Sequence, residues 1–166
     1  MQNYKLPYFK EINPVQLEES YDSKTIFNGE EIRLDLNFKN KEINIALLDS
    51  LKNILENIKN HDTLNRWYID IDYKENDYVK EFIELHFTEL AEEMKTIIDF
   101  EDKTISKEKQ FLKKMKLVRI GFYPDKKYDS IHFAVFDYMI DPNISDQIIC
   151  IGLDEKGDLL NVSWES

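Results

Sequence analysis

The sequence predicts an α+β fold built on a mainly antiparallel sheet, and three features carry that expectation. Short runs rich in β-branched and aromatic residues stand towards both ends, as FNGEEIRLDLNF and then LVRIGFY, IHFAVFDYMI, QIICIGL and LLNVSW. Between them, from Leu47 to Met94, apolar residues recur at helical spacing. Strands and helices therefore come in blocks, whereas alternating βα units would mark a doubly wound parallel sheet.

In chain order, Leu6-Pro7-Tyr8-Phe9 is an apolar patch closed by Asn13-Pro14. Tyr21 to Phe27 and Glu30 to Phe38 flank Asn28-Gly29, a pair that accepts φ > 0 and so signals a two-residue hairpin. In the second arm Ile32, Leu34, Leu36 and Phe38 alternate with Arg33, Asp35 and Asn37, which predicts one core face and one wet face. The period then changes to 3.6. Leu47, Leu48, Leu51, Ile54, Leu55 and Ile58 make one helical face. A second helix is expected with Asp62 or Thr63 as N-cap and Leu64, Trp67, Tyr68 and Ile71 as its apolar stripe. Asn76 or Asp77 then caps a third, whose stripe runs through Val79, Phe82, Ile83, His86, Phe87, Leu90 and Met94. After a charged connection over 99–106, Ser106 caps a brief helix carrying Phe111, Leu112 and Met115.

The four C-terminal runs predict an antiparallel meander, with turns at Pro124-Asp125 and at Glu155 to Asp158, where Gly157 supplies a positive φ. Both alternation faces of IHFAVFDYMI are apolar, as suits a central strand. In LLNVSW, Leu160, Val162 and Trp164 share one side, leaving Asn161 and Ser163 towards water. The expected architecture over residues 1–166 is a single domain in which the N-terminal hairpin and the four-stranded meander form the sheet. The helices inserted between them pack on one face. Leu34, Leu36, Leu51, Ile54, Leu55, Phe82, Ile83, Leu90, Ile120, Phe122, Phe133, Val135, Ile149 and Ile151 are the expected core.

Composition narrows the function classes. The 33 acids against 22 basic residues give a formal net charge of -11, which disfavours nucleic acid and anionic membrane as partners, since both are bound by neutralising phosphates. The single cysteine excludes an intramolecular disulfide, and no leader-like or membrane-length apolar run is present, so the cytoplasm is the expected compartment. Charge is uneven: residues 77–102 hold nine acids and two lysines, while 103–127 hold nine basic residues and two acids.

Catalytic and metal signatures are absent, and no cofactor motif is present. His86 has Glu89 and Glu93 on a shared helix surface, yet it lies in an apolar stripe, where a histidine is usually satisfied by one internal hydrogen bond. Asp70, Asp72, Glu75 and Asp77 form an acidic cluster, but Lys74 and Glu75 stand where a calcium loop needs an oxygen ligand and a glycine. Cys150 sits in Ile-Ile-Cys-Ile without a cationic neighbour to lower its pKa. Arg119 and Asp137 interrupt apolar strands and are expected to face each other diagonally, as an ion pair that fixes register.

The phrases LPYF, FNGEEIRLDLNF, VKEFIELHFTEL, KLVRIGFYPD and AVFDYMI, with a terminal Trp164-Glu165-Ser166, resemble the bacterial family catalogued as domain of unknown function two thousand and four. That resemblance spans nearly the whole chain and implies a small intracellular bacterial protein with no catalytic residues to carry over. Trp164 departs from the smaller apolar residue expected before the closing Glu-Ser. Comparable small acidic bacterial families suggest, by analogy, an immunity protein that neutralises a toxin.

The leading expectation is thus a module that binds a basic protein or toxin through an acidic helical surface. Glu81, Glu84, Glu89, Glu92 and Glu93 would steer the encounter, and Trp67, Tyr73 and Tyr78 would serve as anchors. One alternative is an enzyme or small-molecule binder, using a cleft at His86 or at Arg119 and Asp137 with Tyr123 and Tyr138. Another is a structural adaptor or homo-oligomer, and the sequence sets no oligomeric state.

Overall fold

A computed structural model describes residues 3–75 and 77–166. Six strands form one sheet: β1 (Ser20–Phe27), β2 (Glu30–Asn37), β3 (Lys116–Phe122), β4 (Ala134–Met139), β5 (Ile148–Leu153) and β6 (Leu159–Glu165), paired in chain order. Five helices lie between β2 and β3: α1 (Ile45–Glu56), α2 (Ile58–Glu75), α3 (Tyr78–Glu89), α4 (Ala91–Ile97) and α5 (Lys107–Lys114). The fold is α+β with a mostly antiparallel sheet. Among the described residues no helix is long and apolar enough to cross a membrane.

Local chemistry sets several element ends. Asn28 (φ 50) and Gly29 (φ 80) turn the β1–β2 hairpin, and Gly157 (φ 84) turns β5 into β6. Asn44 caps α1 by accepting from the Ala46 amide at 2.9 Å, and Ser106 caps α5 by accepting from Lys109 at 3.2 Å.

The two β segments do join, but their junction is not antiparallel. Arg33 pairs with Arg119 and Leu36 with Phe122 in a parallel ladder. The reason is the helical block: it carries the chain back to the end where β2 began, so β3 enters beside Glu30, which its first residue Lys116 meets at 2.8 Å. A parallel neighbour needs such a long crossover, and five helices supply it.

One face of the sheet is the core. Ile32, Leu34, Leu36, Ile120, Phe122, Phe136, Tyr138, Ile149 and Ile151 are all fully buried there, each apolar side chain contributing roughly 1.5–3 kcal/mol. Two expected core residues differ. Leu90 is half-buried at a helix break, and half-buried Val135 lies on the opposite face between Gly121 and Gly152. Leu160 also leaves its expected side: the β5–β6 register shifts between Gly152 and Leu153, so Leu160 is exposed while Val162 and Trp164 pack inward.

Candidate functional site

The second face of the sheet is partly open to solvent: Lys24 and Arg33 are exposed, and Arg119, Val135, Asn161 and Ser163 are half-exposed. Its centre is an ion network. Arg119 is directly opposite Asp137, not diagonal to it, because the β3–β4 connection centres on residue 128 and not on Lys127: Phe122 pairs with Ala134, and that register runs unbroken to Arg119, with the bulge at Val118 lying beyond it. Its Nη1 donates to Asp137 Oδ2 at 2.8 Å, Nε and Nη2 donate to Asp35 at 2.6 and 2.8 Å, and Nη2 also donates to the Tyr123 hydroxyl at 2.9 Å. Burial works against the Arg119 charge, yet these hydrogen bonds raise its pKa above the ordinary value.

Two glycines let this network lie flat. A Cβ on Gly121 would stand 2.4 Å from Arg119 Nη2, and one on Gly152 would stand 2.2 Å from the His132 ring, which hydrogen-bonds Asn161. Asp137 Oδ1 is buried without an N–H or O–H donor among the described residues, and the Cys150 thiol stands opposite it. Burial, then the Asp137 charge, pushes that thiol's pKa up, which leaves Cys150 an inert thiol. Tyr138, expected to join this set, lies on the helix side. Asp35, read as a wet-face residue, is 4% exposed and is the second anchor of Arg119. Only the parallel β2–β3 pairing brings it there, and no local pattern reports that.

His86 is fully buried. Its Nδ1–H donates to the Phe82 carbonyl at 2.7 Å, and its Nε2 accepts from the Ser145 hydroxyl at 2.9 Å, which in turn accepts from the Gln147 amide at 3.1 Å. Both ring nitrogens are thus used internally. Desolvation lowers the pKa, with the Phe82 bond opposing, so the ring stays neutral. The histidine ties α3 to the loop after β4, and Trp164 Nε1 donates to Gln147 Oε1 at 2.8 Å on the same loop.

The largest departure from the sequence pattern is α2. It starts at Ile58, so Asp62 lies inside it and caps nothing. Its buried residues are Ile58, Asp62, Asn65, Ile69 and Asp72. Trp67 is 56% exposed and Leu64 41%, and Tyr68 and Ile71 are half-buried.

The two buried carboxylates have partners, while Asn65 donates to the Tyr138 hydroxyl at 3.3 Å and its Oδ1 is without a hydrogen bond among the described residues. Tyr138 donates to Asp62 Oδ1 at 2.9 Å, and Arg66 donates to Asp62 Oδ2 and to the Met115 carbonyl, both at 3.0 Å. Asp72 accepts from the Val79 amide at 2.7 Å and so caps α3, a task the sequence assigns to Asn76 or Asp77. Asp77 holds the N-cap position without a side-chain bond, and Asn76 is outside the described residues.

The acidic residues expected on one helix are divided. Leu90 (φ -122, ψ 36) ends α3, so Glu81, Glu84 and Glu89 lie on α3, and Glu92 and Glu93 open α4. The turn folds Met94 and Ile98 back into the core. All five acids are exposed; Glu92 pairs with Lys95 at 2.6 Å and Glu84 approaches Lys80 at 4.0 Å. Tyr78 is 47% exposed. Tyr73 is half-buried, and its hydroxyl pKa is raised by burial first, then by Glu108 and Glu84.

Comparison with known proteins adds no relative: no family model, no curated protein and no solved structure matches this chain.

Proposed function

We propose that this chain is a protein-binding module whose docking surface is the solvent face of α2, with the acids of α3 and α4 providing the approach field. The observation that carries this reading is the inversion of α2, which leaves Trp67 and Leu64 to solvent while Asp62, Asn65 and Asp72 are buried. Nothing in the core requires a tryptophan at 67. Large aromatics that are solvent-exposed in the free protein and buried on association supply most binding energy at interfaces. The helix packed against α2 carries exposed Glu81, Glu84 and Glu89, so a basic partner is favoured, with charge raising on-rate more than affinity.

The most concrete form of this reading is the immunity protein of a bacterial toxin. Kinship with the family that the sequence phrases resemble is part of the same proposal. The test is affinity capture from the source bacterium at low and moderate salt, with wild type, a Leu64→Ala/Trp67→Ala variant and a Glu84→Lys/Glu92→Lys variant. The expected result is one protein retained by wild type at both salts, lost in the aromatic variant and weakened in the charge variant chiefly at low salt. If that protein is a toxin encoded beside this gene, a stoichiometric amount of this chain abolishes its activity. A partner captured equally by all three proteins, or no partner at either salt, overturns the reading.

A further inference from the structure

A cleft of about 820 Å³ opens at the end of the sheet where β2 and β3 begin, a site that no sequence feature singled out. Its volume falls in the range of roughly 300–1,000 Å³ typical of small-molecule pockets. Five stretches of the chain build it, and Phe27, Ile69, Ile97, Leu117 and Ile140 give it an apolar wall, of which Ile69, Leu117 and Ile140 are themselves buried. It lies on the flank of α2 that carries Arg66 and Ile69, away from Leu64 and Trp67.

The charged lining is unusual for so acidic a chain. Arg66, Lys113, Lys114 and Lys116 face three acids, Glu30, Asp70 and Asp141. Most of these are already committed. Lys116 pairs with Glu30 at 2.8 Å, Asp70 with Lys74, and Arg66 with Asp62 and the Met115 carbonyl. Asp141 Oδ1 accepts from the Asn143 amide at 2.8 Å and from its side chain at 3.1 Å. Lys113 and Lys114, in the last turn of α5, are exposed and make no ion pair or hydrogen bond among the described residues. Two exposed lysines with no ion pair or hydrogen bond among the described residues therefore line a cleft that has an apolar wall.

We propose that this cleft binds a small amphipathic anion, its apolar body against Ile69, Ile97 and Leu117 and its carboxylate or phosphate held by Lys113 and Lys114. The two ammonium groups supply mobile donors to a charged oxygen, and the wall removes hydrocarbon from water. A cation of the same shape would meet the lysines and is excluded.

The test is displacement of 1-anilinonaphthalene-8-sulfonate fluorescence by decanoate and by decyl phosphate, below their micelle concentrations, with decanol and decyltrimethylammonium as controls. A Lys113→Glu/Lys114→Glu variant changes only exposed side chains, and its fold is checked by circular dichroism. An Ile97→Trp variant, which fills the cleft, is the second arm. The expected result is saturable one-to-one binding of both anions, or of one when the headgroup matters, weakened on the order of tenfold or more in each variant. Binding of decyltrimethylammonium as tight as decanoate, binding untouched by the charge reversal, or no saturable binding of either anion overturns the proposal. Capture of a protein partner through Trp67 is read separately, so either proposal can fail alone.

Discussion

Helices α1 and α2 follow each other with only Asn57 between them, yet they treat their sequence patterns in opposite ways. In α1 the apolar stripe goes inside: Leu48, Leu51, Ile54 and Leu55 are fully buried, and the polar residues meet water. In α2 the recognisable apolar residues Leu64 and Trp67 face out, and the buried stripe is interrupted by Asp62, Asn65 and Asp72. Hydrophobicity decides a helix's orientation when the polar alternatives would be buried unpaired. It loses that authority when other elements offer partners, as Tyr138 does to Asp62 and Asn65 and the Val79 amide to Asp72, with Arg66 of α2 itself adding a bond to Asp62.

The sharpest probe of that contrast is a matched pair of truncations. Ile54→Ala in α1 leaves a cavity and is expected to cost about 3 kcal/mol, read from urea unfolding followed by circular dichroism. Asp62→Ala in α2 removes the acceptor of Tyr138 and Arg66 and is expected to cost about 2 kcal/mol, less than a fully buried ion pair because Arg66 can rehydrate. If Asp62→Ala proves neutral in the same assay, the polar network does not orient α2 and the comparison collapses.

Acid supplies a smaller effect. Burial holds the His86 pKa below its ordinary value of about 6.5, so the unfolded chain takes up the proton first. Stability is then complete above that pH and declines as pH falls below it, by at most about 1.4 kcal/mol per pH unit for one proton. His61, whose pKa burial also lowers, acts in the same direction. His86→Gln should therefore flatten only part of the loss of Tm between pH 7 and pH 5, and an unchanged slope would show that His86 is not titrating with unfolding. The smallest effect is expected at Trp67. Truncation to alanine on the exposed face should change unfolding free energy by no more than about 0.5 kcal/mol, although the same change is expected to abolish partner capture. A large loss of stability at Trp67 would make it a packing residue and remove the contrast with Ile54.

Much of the fold was legible because it is written in local chemistry. Asn28-Gly29 dictates its hairpin through φ > 0, Ser106 its helix start, and the alternation through Ile32, Leu34 and Leu36 a half-buried strand. The central β4 strand was legible from its two apolar faces, although Val135 lies on the face opposite the core. The candidate site was far less legible. The pairing of Arg119 with Asp137 could be anticipated from two charges in apolar strands, but their partner Asp35 lies 84 residues from Arg119 in sequence and reaches it only across the parallel junction.

The sequence alone determined the elements that depend on neighbours a few residues apart: the Asn28-Gly29 and Gly157 turns, the Ser106 cap, the core-facing alternation of β2, the α1 stripe and the net charge of -11. Tertiary structure alone decided the parallel β2–β3 junction, the inversion of α2, the break at Leu90 and the cleft beside Lys113 and Lys114. The division follows range. A tight turn or a cap such as that of Ser106 is settled by groups within reach of one residue, whereas the cap that Asp72 gives α3 and the orientation of a helix with mixed faces depend on which donors and acceptors other elements bring to its polar side chains.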